Sequence, residues 1–254
     1  TMTALQGLLA DEETKTLLSM FLLASAKKNL SMCSFRLFGV EKPKEEVWST
    51  EVTDEDWKNA VEDEFGVKYS KDWKRLLGTT WNLRGKYSIR KGVKVIGDWA
   101  FGRCKSLTNI NIPNSVTTIG KSAFWGCESL TSINIPNSVT TIGDSAFGDC
   151  DSLTSINIPN SVTTIGKGAF CGCDSLTSIN IPNSVTTIGD YAFGDCYFLT
   201  NINIPNSVTT IGKGAFSRCN SLTNINIPNS VTTIGESAFF SCNSLTNINI
   251  PNSV

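Results

Sequence analysis

Nine cysteines are the first residues of this chain to test for chemistry, because thiols ligate metals, attack carbonyls and form disulfides. Seven of them, Cys104, Cys127, Cys150, Cys173, Cys196, Cys219 and Cys242, recur every 23 residues. Zinc ligands are paired a few residues apart and are often histidine, and this chain contains no histidine. No Ser/His/Asp or Cys/His nucleophile can be assembled, and no glycine-rich phosphate loop is present. Five carboxylates, Glu128, Asp149, Asp151, Asp174 and Asp195, gather near the cysteines between Arg103 and Lys105 on one side and Arg218 on the other. Their spacing is not that of a calcium loop, so solvated charge is the expected role. The sequence thus predicts no catalytic residue, no metal site and no cofactor, and the regular cysteines read as a ladder of buried free thiols. Cys33 and Cys171 fall outside that ladder, and Cys171 is expected to be an exposed thiol.

Residues suited to binding recur with the same period. Asn111, Asn134, Asn157, Asn180, Asn203, Asn226 and Asn249 form one column, flanked by Asn109, Ser132, Ser155, Ser178, Asn201, Asn224 and Asn247. The column has two readings: a ladder of stacked amides bonded to one another, or a polar face that engages an extended polypeptide or a glycan. Trp125, Tyr191, Tyr197 and Phe198 interrupt otherwise small or polar positions and suggest an aromatic side patch. The residue after each repeated glycine alternates in sign along Asp98, Lys121, Asp144, Lys167, Asp190, Lys213 and Glu236, which predicts opposite charges side by side.

What positions all of these is a unit reading IPNSVTTIGxxAFxxCxSLTxIN. Seven copies run without insertion from Ile89 to Asn249, and a partial eighth ends at Val254. Self-similarity of this length is the signature of a solenoid whose units fold only by stacking. SLTNINI alternates like a half-buried strand, with Ile110 and Ile112 inward and Asn109, Asn111 and Pro113 outward. Stacked strands then give a parallel sheet on one face. The proline, lacking an amide donor, closes the strand, and the segment after the glycine predicts short helical or 3₁₀ turns on the opposite face.

The string LTxINIPNSVTTIGxxAFxxC resembles the BspA-like leucine-rich-repeat family, and the likeness covers about two thirds of the chain. It implies an α/β leucine-rich-repeat solenoid that binds proteins or glycans through the concave sheet face. It also implies a bacterial surface or secreted protein, some relatives being adhesins for host proteins. The segment Tyr69 to Val95 resembles the capping unit that precedes such arrays, with Tyr87 and Ile89 at isoleucine positions and Arg90 in place of proline. The domains are then 1–66, a mostly helical N-terminal cap; 67–88, the capping unit; and 89–254, the repeats. The alternative is an intracellular scaffold or spacer, with the activity in the N-terminal domain; the free thiols favour it. The last copy shows no capping unit, so the expectation is that either the native protein continues or two copies pair end to end.

In the first domain, Leu5 to Ala26 reads as an amphipathic helix and Ser34 to Val40 as a strand. A second helix is predicted from Thr53, carrying Trp57, Val61 and Phe65 on one face. The apolar run LLSMFLLASA is too short to span a bilayer and follows acidic residues, so it reads as a buried helix face rather than an anchor. A formal net charge of −1 gives no attraction to nucleic acid or an anionic membrane.

Overall fold

A computed structural model describes residues 53–254. The predicted Leu5 to Ala26 helix and Ser34 to Val40 strand lie outside the described residues. Within them the only helix is α1 (Asp54–Lys58), which Thr53 caps: its Oγ1 accepts the Asp56 N–H at 3.2 Å while Asp56 Oδ2 accepts the Thr53 N–H at 2.7 Å. The predicted second helix therefore starts where expected but stops after one turn, at Asn59. Val61 lies in a strand and Phe65 is exposed in a turn, so the described part of the cap is built of strands rather than helices.

The strands in chain order are β1 (Val61–Glu62), β2 (Val67–Tyr69), β3 (Arg75–Thr79), β4 (Gly85–Ser88), β5 (Val95–Ile96), β6 (Leu107–Asn111), β7 (Thr118–Ile119), β8 (Ser132–Asn134) and β9 (Thr141–Ile142). They continue as β10 (Ser155–Asn157), β11 (Thr164–Ile165), β12 (Ser178–Asn180), β13 (Thr187–Ile188), β14 (Asn201–Asn203), β15 (Thr210–Ile211), β16 (Asn224–Asn226), β17 (Thr233–Ile234) and β18 (Asn247–Asn249). Even-numbered strands from β4 to β18 stack into one eight-stranded parallel sheet, in strict sequence order. The two-residue Thr-Ile strands stack on a second side, where the antiparallel β1–β2–β3 unit starts the sheet β1-β2-β3-β5-β7-β9. The strands β11, β13, β15 and β17 continue that side as a separate sheet.

The third side is where the structure departs from the sequence reading. The predicted helical or 3₁₀ turns are absent from the described repeats; an extended ladder of turns stands there instead. In copy 2 the N–H groups of Ser122, Phe124 and Gly126 each donate across to the next copy, to the carbonyls of Asp144, Ala146 and Gly148, at 2.8 Å. Intervening amides close local turns, as Ala146 N–H does to Gly143 C=O at 3.2 Å. Two left-handed residues per copy create this alternation, for example Ser145 and Asp149, both at φ 53. A helix would keep every amide inside its own copy and leave this side of the stack unbonded.

One core runs through all the copies. Ile110, Val116, Ile119, Ala123, Phe124, Cys127 and Leu130 are buried, as are their equivalents in the following copies up to Val231. Phe101, Phe124, Phe147, Phe170, Phe193, Phe216 and Phe239 stack face to face, centroids 5.2–5.6 Å apart. The seven cysteines of the 23-residue column are free, and from Cys127 onward each Sγ–H donates to the phenylalanine carbonyl of the preceding copy; Cys150 reaches Phe124 O at 3.2 Å. Burial pushes the Cys104 thiol up to about 12, so these groups stay protonated donors. The prolines do not point outward: Pro136, Pro159 and Pro182 are buried, and each carbonyl accepts a valine N–H three residues on.

The repeated glycine is required for contact rather than for conformation. A Cβ at Gly212 would lie 2.5 Å from Asp190 N and 2.6 Å from Gly189 C, both backbone atoms of the preceding copy. Substituting Gly212→Ala is therefore expected to force two copies apart and to lower stability by about 1–3 kcal/mol. Denaturant titration of the purified chain checks this, and an unchanged midpoint would show that the stack yields at this side without cost.

Candidate functional site

The long-strand face presents the predicted columns. Asn111, Asn134, Asn157, Asn180, Asn203, Asn226 and Asn249 are exposed there, beside exposed Ser155, Ser178 and Asn201, while the isoleucine between each pair points inward. Asn157 pairs in register with Asn134 and Asn180, which sets the amides one strand spacing apart, about 4.8 Å. Among the described residues no amide of the Asn111 column bonds to its neighbour, so the self-bonded asparagine ladder is not what this structure contains. Threonine holds that role: Thr154 Oγ1 donates to Thr131 O at 3.2 Å, and Thr200 Oγ1 to Thr177 O at 3.1 Å. From copy 2 to copy 7 the exposed long-strand positions carry Thr, Ser and Asn, with neither charge nor aromatic ring.

The aromatic side patch is not one surface. Trp125 and Tyr191 are buried, Tyr197 is half-buried with its hydroxyl 3.3 Å from Asp195 Oδ1, and Phe198 is 60% exposed. Trp125 packs edge-on against Trp99, with the Arg103 guanidinium 5.1 Å from its ring centre. Cys171 is likewise buried and disulfide-bonded, not an exposed free thiol. These residues sit on the turn side, where each copy lies tightly against the next: a Cβ at Gly148 would meet Trp125 Cδ1 at 2.9 Å. Trp125 fills the space opposite Gly148 and Tyr191 the space opposite Gly214, a pairing visible in the sequence only once neighbouring copies are aligned.

The alternating charges also act differently from the expected side-chain pairs. Asp98, Asp144 and Asp190 each use Oδ1 to accept the backbone N–H of the lysine one copy on, Lys121, Lys167 and Lys213, at 2.7–2.8 Å. Of the lysines, Lys213 forms an ion pair, 2.6 Å from Glu236 Oε2. In the cap, Tyr87 donates to Asp63 Oδ2 at 2.6 Å and is hydrogen-bonded to the Tyr69 hydroxyl, which satisfies two buried phenols. Arg90, standing where later copies have proline, lies 4.0 Å over the Trp73 ring.

Among the described residues no group of three or more Cys, Asp or Glu is placed to hold a metal ion. No described helix is long and apolar enough to cross a membrane. The threonine side carries shallow depressions, among them one lined by Asp98, Thr118, Gly120 and Lys121 and another by Thr140, Thr141, Asp144 and Thr163.

A 23-residue coil with short parallel strands on one side and a buried leucine and isoleucine in each of the first six copies defines a leucine-rich-repeat solenoid. Residues 82–199 and 140–254 match the BspA type Leucine rich repeat region, in six copies, and the chain belongs to that family. It is similar to a leucine-rich repeat protein from Eubacterium ventriosum, at 30% identity and a TM-score of 0.69, over 78% of this chain and 52% of that one. A T. pallidum leucine-rich repeat protein is 30% identical, with a TM-score of 0.53, over 59% and 72% of the two chains. A leucine rich cell surface protein from Faecalibacterium prausnitzii is 33% identical over 68% and 55%, with a TM-score of 0.47. This chain thus spans about half the length of the E. ventriosum protein. No protein with a curated description matches it.

The carboxylates near the cysteines carry a measurable electrostatic signature. Glu128, Asp151 and Asp174 occupy one repeat position in successive copies, and Asp149 and Asp195 lie beside them. Lys105 neutralises Glu128 at 2.6 Å, and Arg218 approaches Asp195 at 3.6 Å. Partial burial, and then the neighbouring carboxylates, raise both Asp151 and Asp174 to about 6. A carboxyl raised in the folded state binds its proton more tightly folded than unfolded, so stability falls as pH rises from about 4 to 6 and stays lower above. Asp151→Asn with Asp174→Asn is expected to raise the melting temperature at pH 7 by a few degrees and to leave it unchanged at pH 4. A melting profile as pH-dependent as that of the unsubstituted chain would refute the assignment.

Proposed function

We propose that this chain is a non-enzymatic interaction module that binds a host or neighbouring-cell macromolecule, a protein or a glycan, through its long-strand face. The observation that carries this reading is the state of the polar groups there. Threonine hydroxyls such as those of Thr154 and Thr200 bond to the preceding copy, whereas the exposed amides of the Asn111 column make no bond to one another. A neutral array without aromatic rings favours a neutral, extended polymer over nucleic acid, whose phosphates require basic side chains. No cofactor enters this reading, because a uniform polar face has no enclosed cavity in which to orient a reacting group.

The resemblance to BspA-like surface and secreted proteins supports a location outside the cell. Protease shaving of intact source cells, with released peptides identified by mass spectrometry, tests it: repeat peptides are expected in the shaved fraction. Their appearance only after lysis would favour the intracellular scaffold, to which the seven free thiols are also suited.

Arrays of purified matrix proteins and neutral polysaccharides then identify a binding partner. Replacing Asn157, Asn180 and Asn203 together by Ala is expected to weaken the strongest hit about tenfold or more with unchanged melting. Unchanged affinity would remove this face from consideration.

A further inference from the structure

The step between copy 3 (135–157) and copy 4 (158–180) is bonded unlike every other step between copies. On the threonine side, Thr186 N–H donates to Thr163 O and Gly189 N–H to Ile165 O, both at 2.9 Å, and the same bonds recur at the steps on either side. The equivalents between copies 3 and 4, Thr163 to Thr140 and Gly166 to Ile142, are not formed, and the stack of short strands is divided there, between β9 and β11. The threonine hydroxyl bond that links Thr186 to Thr163 O at 3.3 Å is missing between Thr163 and Thr140 as well. A surface depression lined by Thr140, Thr141, Asp144, Thr163 and Thr164 opens at this step.

The long-strand side is thinned at the same place. The strands β8 and β10 share three paired positions, as do β12 and β14, but β10 and β12 share one, Asn157 with Asn180. Thr200 N–H reaches Thr177 O at 3.0 Å, while the matching Thr177 to Thr154 bond is not made. The Phe147–Phe170 separation, 5.6 Å, is the largest in the phenylalanine stack.

The turn side is intact throughout. Ser145, Phe147 and Asp149 donate to Lys167, Ala169 and Cys171 at 2.8–2.9 Å, Asp144 Oδ1 holds the Lys167 N–H, and Cys173 Sγ holds Phe147 O at 3.1 Å. The corner bonds from Ser161 Oγ to Val139 O and from Ser175 N–H to Asp151 O are kept as well, so the turn side is closed and the two strand sides lose ladder bonds between fixed corners, which is the geometry of a hinge. We infer that the solenoid has a built-in flexure between copies 3 and 4, which pivots on the turn side and lets the two lengths of long-strand face change their mutual angle.

The sequence supplies a cause. The threonine edges of copies 4 and 5 read NSVTTIG alike, so the edge residues do not produce the gap. What distinguishes copy 4 is glycine at both left-handed turn positions, Gly168 at φ 61 and Gly172 at φ 73, where other copies hold at least one side chain. The carbonyls of Lys167 and Cys171, which receive the bonds from copy 3, belong to the peptide units just before these glycines. A glycine has a broader range of backbone angles than any residue with a Cβ, so those two acceptors are the least fixed of the turn ladder.

Hydrogen exchange of the full chain, read by mass spectrometry at single-amide resolution, tests the inference. Thr163 and Gly166 are expected to exchange about tenfold or more faster than Thr186 and Gly189, which have the same preceding residues and hence the same intrinsic rates. Thr177 should likewise outpace Thr200. Equal protection at the two sets would overturn the flexure. The double substitution Gly168→Ser and Gly172→Ser, which installs the residue type found at Ser145 and Ser241, should slow Thr163 and Gly166 about threefold or more. Protection at Thr186 and Gly189 reports that the variant is folded, and unchanged rates at Thr163 and Gly166 would overturn the part assigned to the glycine pair. If the variant fails to fold, the comparison within the unsubstituted chain still decides.

Discussion

Everything in this molecule depends on keeping successive copies about one strand spacing apart on three sides at once. A sheet satisfies that requirement with backbone bonds alone, but the sides here meet at turns, where amides and carbonyls would otherwise be left unpaired. The invariant features of the repeat answer that problem. Serine in IPNS closes one corner, as Ser138 Oγ does at 2.6 Å from Val116 O. Threonine hydroxyls add a strut to each ladder, in alternate copies the aspartate after the glycine holds a backbone amide, and the cysteine reaches the carbonyl of the phenylalanine one copy back. Bulk is excluded at the glycine because backbone already occupies the place of its Cβ.

The period, the inward isoleucines and the thiol column were legible in the sequence because they follow from alternation and spacing, which a linear string displays directly. The turn side was not. Its form is set by left-handed backbone at Ser145, Asp149, Tyr191, Asp195 and Arg218, residue types that give little sign of such angles. Only the bonds gained between copies hold them there, against a local preference of about 1–2 kcal/mol each. The helix after Thr53 illustrates the converse. Its start signal is local and was readable, but its end comes from pairing of β1 with β2, a contact the string does not show.

The asparagine and serine columns were legible as positions but not in their bonding. Asparagine and threonine both have the donors and acceptors to form a ladder, and composition alone does not choose between them. The structure chooses threonine, whose hydroxyl lies close to its own backbone and so close to the carbonyl one copy back; Thr131 reaches Thr108 O at 3.5 Å. That leaves the asparagine amides to solvent. The reading of the aromatic positions failed for a related reason, since Trp125 and Tyr191 face glycines of the next copy, Gly148 and Gly214, which make room for them.

A face repeated every 23 residues has no unique register, and that property shapes what it can recognise. A short ligand would meet the same amides at any copy and gain little from choosing one. A long polymer can engage several copies together, so its affinity grows with the number of consecutive copies held in line with it. Seven copies in a rigid line would demand a straight ligand over that whole length. Stiff runs of three and four copies joined where two of the three ladders are weakened demand straightness only within each run, and the second run meets the ligand at an effective concentration set by the first. On the binding proposed for this face, the interruption that lowers local stability would thereby widen the set of polymer shapes it can follow.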